Sequence, residues 1–113
     1  MTAPPRLKTD ILARALVRES ARDGRSAMVL RKGDADAGGI LVVLVNRAGD
    51  GVVLSQTRTP DGDPAWIRAS GPTPLNAQDV QAYTDRQLKY DPDLWVLEME
   101  SDDFSPPFQA MLL

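Results

Sequence analysis

Apolar and polar positions along the chain alternate with two different periods, and the changes of period predict the secondary structure. Apolar residues three and four apart predict a first helix that begins at Thr9 or Asp10 and runs to about Asp23. Thr9 and Asp10 are suitable N-cap residues, and Gly24 is a suitable stop. We expect the core-facing side of this helix to carry four apolar residues: Ile11, Leu12, Ala15 and Leu16.

Five segments rich in aliphatic and β-branched residues predict strands. They cover residues 26–31, 39–47, 51–58, 65–70 and 94–100. The run at residues 40–45 is apolar on both faces, which is typical of a central strand covered on both sides. Because glycine-containing turns join the second, third and fourth segments, we expect a three-stranded antiparallel meander over residues 39–70.

A second helix is predicted from its N-cap Asn76 to about Tyr90, with Asp85 and Lys89 paired on its surface. Its predicted core-facing residues are Val80, Tyr83, Thr84, Gln87 and Leu88. The element order α-β-β-β-β-α-β predicts an α+β fold, a mainly antiparallel sheet of four or five strands with both helices on one face. Two helices cover only part of such a sheet, so the doubly apolar strand indicates additional cover by the chain's tail or by a second copy.

A chain of 113 residues corresponds to one domain. We expect residues 1–100 to form a single α+β domain and residues 101–113 to form a C-terminal tail that docks on the body or on a partner. Residues 1–8, which include Pro4 and Pro5, are predicted to be extended.

The composition excludes several chemistries. The chain contains no cysteine and no histidine, so disulfides, thiol catalysis, thiolate metal sites and histidine-dependent triads are absent. No phosphate-loop or dinucleotide-binding motif is present, and no cofactor is predicted. The net charge of −3 argues against a dedicated nucleic-acid binder. We expect a cytoplasmic protein with no membrane association, because the start of the chain lacks an apolar signal region and the longest apolar run, residues 40–45, is too short to span a bilayer.

Charge is distributed unevenly along the chain. Residues 1–32 carry a net charge of +5 and residues 91–113 a net charge of −6. Three of the cations recur every four residues on the first helix: Arg14, Arg18 and Arg22. This polarity is compatible with head-to-tail self-association, an acidic partner or RNA contact, but a solvated helix face neutralised within the fold is the simpler interpretation.

Residues 31–39 combine a basic pair, two aspartates and three glycines directly before the longest apolar run. Asp34 and Asp36 suggest a calcium loop, but Gly38 and Val45 stand where that loop requires ligands. A Mg²⁺ or Ca²⁺ site would form only if Asp61 and Asp63 from a later turn came close. Solvated turns are the competing interpretation, since Asp and Gly suit turn backbones.

A candidate binding patch lies on the meander. The expected register places Arg58, Trp66 and Arg68 on one face together with Gln56, and Trp and Arg are frequent interface anchors. The alternative is that Trp66 belongs to the core and the arginines lie at the edge of the sheet.

Several segments together resemble a family of small alphaproteobacterial proteins known as domain of unknown function family 1491. They are PRLK at residues 5–8, RKGDADAG at 31–38, QTR at 56–58, WIRASGP at 66–72 and DPDLWV at 91–96. The resemblance covers about residues 5–100 and leaves the tail outside. It implies a cytoplasmic bacterial protein with no assigned activity, and it transfers no catalytic residue.

These observations lead to one main hypothesis and two alternatives, and they leave enzyme activity undecided. The main hypothesis is a non-enzymatic binding or regulatory module that self-associates or binds a protein partner through Arg58, Trp66 and Arg68. The first alternative is a carboxylate-based metal-dependent hydrolase or phosphotransfer enzyme that uses the four aspartates of the two turns: Asp34, Asp36, Asp61 and Asp63. The second, weaker alternative is an RNA-contacting protein that uses the arginines of the first helix.

Overall fold

The structure is a computed structural model that describes residues 7–113, so most of the predicted extended lead, residues 1–6, lies outside the described residues. A short 3₁₀ turn, Arg22–Gly24, follows the first helix. The main elements are α1 Thr9–Ser20, β1 Ala27–Arg31, β2 Ile40–Val45, β3 Gly51–Arg58, β4 Pro64–Arg68, α2 Ala77–Tyr90 and β5 Trp95–Glu100. This element order confirms the predicted α+β fold.

The five strands form one mixed sheet in the order β1-β5-β2-β3-β4. Strands β2, β3 and β4 form the predicted antiparallel meander. Strand β5 then inserts between β1 and β2, antiparallel to the first and parallel to the second. Helix α2 therefore carries the chain from the β4 edge back to the middle of the sheet.

The two helices lie on opposite faces of the sheet, so the prediction that both pack on one face was wrong. We call the two sides the α1 face and the α2 face. The core on the α1 face contains Ala13, Leu16, Ile40, Val42, Leu44, Val52, Leu54, Trp66, Trp95, Leu97, Met99 and Phe108. The core on the α2 face contains Leu41, Val43, Val53 and Val96, with Val80, Tyr83 and Leu88 packed against them. This arrangement explains why β2 is apolar on both sides.

Helix α1 is rotated relative to the prediction. Its buried residues are Thr9, Ala13, Leu16 and Ser20. Ile11, expected in the core, is 51% exposed, and Ala15 is also exposed. Two buried hydroxyls explain the rotation, because that of Thr9 donates to the carbonyl of Gly38 at 2.8 Å and that of Ser20 lies 3.1 Å from the sulfur of Met99. The helix ends at Ser20, before the expected Asp23, which has a φ of 63°.

Helix α2 begins and ends where the sequence predicted. The side chain of Asn76 accepts a hydrogen bond from the Asp79 amide at 2.8 Å, which is the expected N-cap. Thr84 is buried and the other predicted core-facing residues are half-buried. On the solvent side, Asp85 accepts from Gln81 at 2.9 Å instead of pairing with Lys89.

Residues 104–113 pack along the α1 face and the β4 edge. The Phe108 ring lies edge-on to Trp66, with ring centroids 5.5 Å apart. The amide of Trp66 donates to the carbonyl of Met111 at 2.8 Å, and the amide of Leu113 donates to the carbonyl of Trp66 at 2.8 Å. The edge of β4 is thus covered, whereas β1 has β5 as its single neighbouring strand among the described residues.

Candidate functional site

The glycine- and aspartate-rich loop at residues 34–38 caps the first turn of α1. The amides of Thr9 and Asp10 donate to the carbonyls of Asp36 and Ala35, at 3.3 and 3.0 Å. The N-cap position is Lys8, which makes no side-chain cap. The prediction that Thr9 or Asp10 caps the helix through its side chain was therefore wrong, because loop carbonyls satisfy these amides.

The same loop also holds the start of β5. The Asp34 amide donates to the carbonyl of Asp93 at 2.9 Å, and the Trp95 indole donates to the carbonyl of Asp34 at 2.8 Å. A Cβ at Gly33 or Gly38 would collide with the carbonyl oxygen of Asp93. These glycines allow the loop backbone to approach β5 closely, so the most distinctive segment of the sequence is a junction between α1 and β5.

The aspartates of the two turns make local contacts, through side chains in the first turn and through the backbone in the second. Asp34 accepts from the amide of Ala37 at 2.8 Å, and Asp36 lies 3.7 Å from the ammonium of Lys8 with both side chains exposed. In the second turn, the backbone of Asp63 pairs with Thr59: its carbonyl accepts from the Thr59 amide at 2.9 Å and its amide donates to the Thr59 hydroxyl at 3.1 Å. Within residues 7–113, no group of three or more Asp, Glu, His or Cys residues is placed to hold a metal ion. The structure therefore does not gather Asp34, Asp36, Asp61 and Asp63 into such a group.

The strand register places the predicted patch residues on one face of the sheet. Gln56 lies opposite Trp66, Arg58 opposite Pro64 and Arg68 opposite Leu54. Arg58 and Arg68 are exposed, but Trp66 is only 8% exposed because Phe108 packs against it. The tryptophan is thus part of the core. The patch keeps one exposed arginine on each side of this tryptophan, Arg58 and Arg68.

A groove of about 770 Å³ opens on the α1 face beside this patch. It lies between the start of α1, the loop at residues 36–39, strands β3 and β4, and the tail. Its lining residues include Leu12, Leu16, Asp36, Gln56, Arg58, Trp66, Ala110 and Met111. Arg58 and Trp66 belong to the lining, whereas Arg68 does not. The groove therefore joins an apolar wall to an exposed cation.

Local contacts fix the polar groups of this groove. The guanidinium of Arg58 donates to the carbonyl of Gly62 at 2.7 Å, so it is held across its own hairpin. The side-chain oxygen of Gln56 accepts from the amide of Ile40 at 2.9 Å. Sequence reasoning missed the contributions of α1 and the tail, because these segments reach the groove from distant parts of the chain.

Comparison with known proteins identifies similar chains. A family model described as a protein of unknown function, DUF1491, matches residues 7–109, well beyond residue 100 where we predicted the resemblance to end. The crystal structure of a DUF1491 family protein from Caulobacter crescentus CB15 has a TM-score of 0.84 and 35% identity, and the alignment covers 96% of this chain and 100% of that one. An NMR structure of a DUF1491 family protein from the same organism has a TM-score of 0.81, 34% identity and coverage of 97% and 99%.

A more distant structure shares the fold. The solution structure of protein Atu0922 from A. tumefaciens has a TM-score of 0.78 at 23% identity, with 96% of this chain and 98% of that chain covered. A search of the curated proteins found no match to this chain. Among residues 7–113, neither helix has the length and apolar character needed to cross a membrane.

Proposed function

This chain belongs to the DUF1491 family of proteins of unknown function, as the resemblance of its motifs predicted, and we propose that it acts as a non-enzymatic binding module. Its ligand is a short apolar segment of a partner protein that carries a carboxylate. The observation that carries this proposal is the groove on the α1 face, in which the exposed Arg58 and the largely buried Trp66 line the same wall.

The chemistry of the groove supports this class of ligand. Leu12 and Met111 provide apolar surface, and its removal from water by a ligand stabilises the complex. Asp36 and Lys8 lie 3.7 Å apart and largely offset each other, so Arg58 is the groove's remaining cation. An arginine held by a hydrogen bond loses little side-chain entropy on meeting a carboxylate, and the two groups form strong paired hydrogen bonds.

Selection from a phage-displayed peptide library on the immobilised protein tests the proposal. We expect enriched peptides that combine apolar residues with Asp or Glu, and we expect Arg58→Glu to abolish their binding. Arg25→Glu makes the same charge change at an exposed position outside the groove and should leave binding intact. Failure to enrich any peptide, or equal binding by Arg58→Glu, would contradict the proposal.

The two alternative functions from the sequence, a metal-dependent enzyme and an RNA-contacting protein, remain predictions, and each has its own assay. A metal-dependent enzyme predicts heat on calorimetric titration with Mg²⁺, Mn²⁺ or Ca²⁺ that is lost in Asp34→Asn. RNA contact through Arg14, Arg18 and Arg22 predicts a gel shift with steep salt dependence. The cytoplasmic location expected from the sequence is tested by cell fractionation.

A further inference from the structure

The α2 face of the sheet is only partly covered. Helix α2 contacts β3 on this face, and beside it a groove of about 540 Å³ extends over β5 to β1. The groove is lined by Leu30, Arg31, Val43, Val45, Val96 and Glu98 from the sheet, and by residues of α2 on its other side. Leu30 is 52% exposed and Met28, on the same strand, is 44% exposed. Apolar side chains therefore lie in solvent at this end of the sheet.

We call the part of the α2 face that β1 and β5 form the apolar strip. Carboxylates lie within it. The pairing register places Glu98 between Met28 on β1 and Val43 on β2, so apolar side chains flank this half-buried residue on both sides. Glu100 is exposed on the same face, two residues further along β5. The lining cation, Arg31, donates to the carbonyl of Leu94 at 2.8 Å. The strip is thus suited to an apolar surface that brings its own cation.

The dimensions of the strip match one helix. Two adjacent strands are roughly 10 Å wide, and strands of five or six residues are roughly 17–20 Å long. A helix is about 10 Å in diameter, and one of α1's length is about 18 Å long. One such helix would lie beside α2 and cover β5 and β1.

Helix α1 presents a surface of the required kind to solvent. At 100° per residue, Ile11 and Ala15 share its outward side with Arg14 and Arg18, opposite the buried stripe. Ile11 and Ala15 are the apolar residues that were predicted to face the core and do not. Arg14 and Arg18 on this side of α1 are opposite in charge to Glu98 and Glu100, which β5 presents on the α2 face.

We propose that helix α1 of one copy docks on the α2 face of a second copy, with Ile11 and Ala15 on Met28 and Leu30 and with Arg14 and Arg18 near Glu98. The donor helix and the acceptor groove lie on opposite faces of the sheet, so the contact is head-to-tail and leaves one donor and one acceptor free at the ends of the assembly. The contact uses neither Arg58 nor Trp66, and the α1 residues that it does use are not among those that line the peptide-binding groove.

Pairing of two copies through the open edge of β1 is the competing arrangement. Arg25, Arg31 and Lys32 lie at the ends of this strand, and antiparallel self-pairing would bring the cations of both copies together. Charges at a strand edge are a common protection against such pairing. The charge distribution therefore favours docking of α1 over pairing of β1.

Sedimentation velocity over a range of protein concentrations, with reciprocal charge reversal, tests the proposal. We expect the wild-type protein to associate as its concentration rises. Glu98→Lys alone and Arg14→Glu/Arg18→Glu alone should each weaken association by about tenfold or more. An equimolar mixture of the two variants should restore it, since each acceptor then meets a donor of opposite charge. Arg25→Glu, outside the α1 stripe, should leave association unchanged.

Two outcomes would overturn the proposal: a monomer at every concentration, or association that the reversals leave intact. In the second case, weaker association of Val29→Pro would identify pairing through β1. Circular dichroism establishes that each variant is folded, and Glu98→Gln provides a milder change if Glu98→Lys is not. Because Arg58→Glu should still associate and Glu98→Lys should still bind selected peptides, failure of this proposal is distinguishable from failure of the proposed function.

Discussion

At the scale of single residues, glycines in the loop between β1 and β2 allow its backbone to lie close to the backbone just before β5. Replacing Gly38 with Ala would force a Cβ against the carbonyl of Asp93 and against the Asp34 backbone. We expect Gly38→Ala to lower the free energy of unfolding by about 2 kcal/mol, as overpacking against rigid backbone does. Urea denaturation measures this change. Ala37→Ser, at an exposed position in the same loop, should change it by less than about 0.5 kcal/mol.

A second residue-scale prediction concerns acid sensitivity. The amide of Ser105 donates to the Asp103 carboxylate at 3.0 Å, and this hydrogen bond, with a further one from Ser101, holds the pKa of Asp103 below its ordinary value. A lowered folded-state pKa stabilises the fold above the unfolded pKa, and this contribution is lost as the pH falls through the folded value.

We therefore expect the stability advantage of the wild type over Asp103→Asn to be full at neutral pH and to shrink below about pH 4. Urea titrations of both proteins at several pH values measure it. An advantage that does not change with pH would show that the carboxylate's charge does not contribute.

At the scale of elements, the tail covers the α1 face of the sheet beside β4. Phe108 is buried and contacts Trp66 edge-on. We expect Phe108→Ala to lower the free energy of unfolding by about 3 kcal/mol, because it removes a buried aromatic side chain and leaves a cavity. Chemical denaturation monitored by tryptophan fluorescence measures this loss. Leu113→Ala truncates an exposed side chain in the same segment and should have little effect.

Helix α1 illustrates why the face of an element is harder to predict than its existence. Apolar spacing identified the helix but selected Ile11 and Ala15 as core residues. In the structure, the hydroxyls of Thr9 and Ser20 find partners on the sheet and in the loop, so these small polar residues are buried instead. Hydropathy cannot anticipate a buried hydroxyl, because its partner lies far away in sequence.

At the scale of the whole molecule, β5 joins the beginning and the middle of the chain. It pairs with β1 on one side and with β2 on the other, so removing it would leave β1 with no neighbouring strand among the described elements. We expect a chain that ends at residue 92 to be unfolded, with collapsed amide dispersion in its NMR spectrum.

A chain that ends at residue 103 provides the matched comparison. It keeps all five strands and loses only the segment that covers Trp66. We expect it to fold with a lower melting temperature, which would support the predicted division between a domain at residues 1–100 and a tail. Complete loss of folding would place the tail within the domain.

The sequence by itself determined the elements of this protein, their order, the β2-β3-β4 meander and the family. These depend on local periodicity, turn residues and short motifs, which adjacent residues encode. It also placed Gln56, Arg58, Trp66 and Arg68 on one face, because strand register follows from the turn between two neighbouring strands.

Only the tertiary structure decided the insertion of β5, the separation of the helices onto opposite faces and the cover over Trp66. Each depends on contacts between segments far apart in the chain. The spacing of apolar residues within a segment does not indicate which other segment it pairs with or packs against. For the same reason, a loop with the composition of a cation site proved to be a junction of backbone hydrogen bonds between α1 and β5. Glycine is required at Gly33 and Gly38 because the carbonyl of Asp93 lies where a Cβ would be. Only the tertiary structure places Asp93 there.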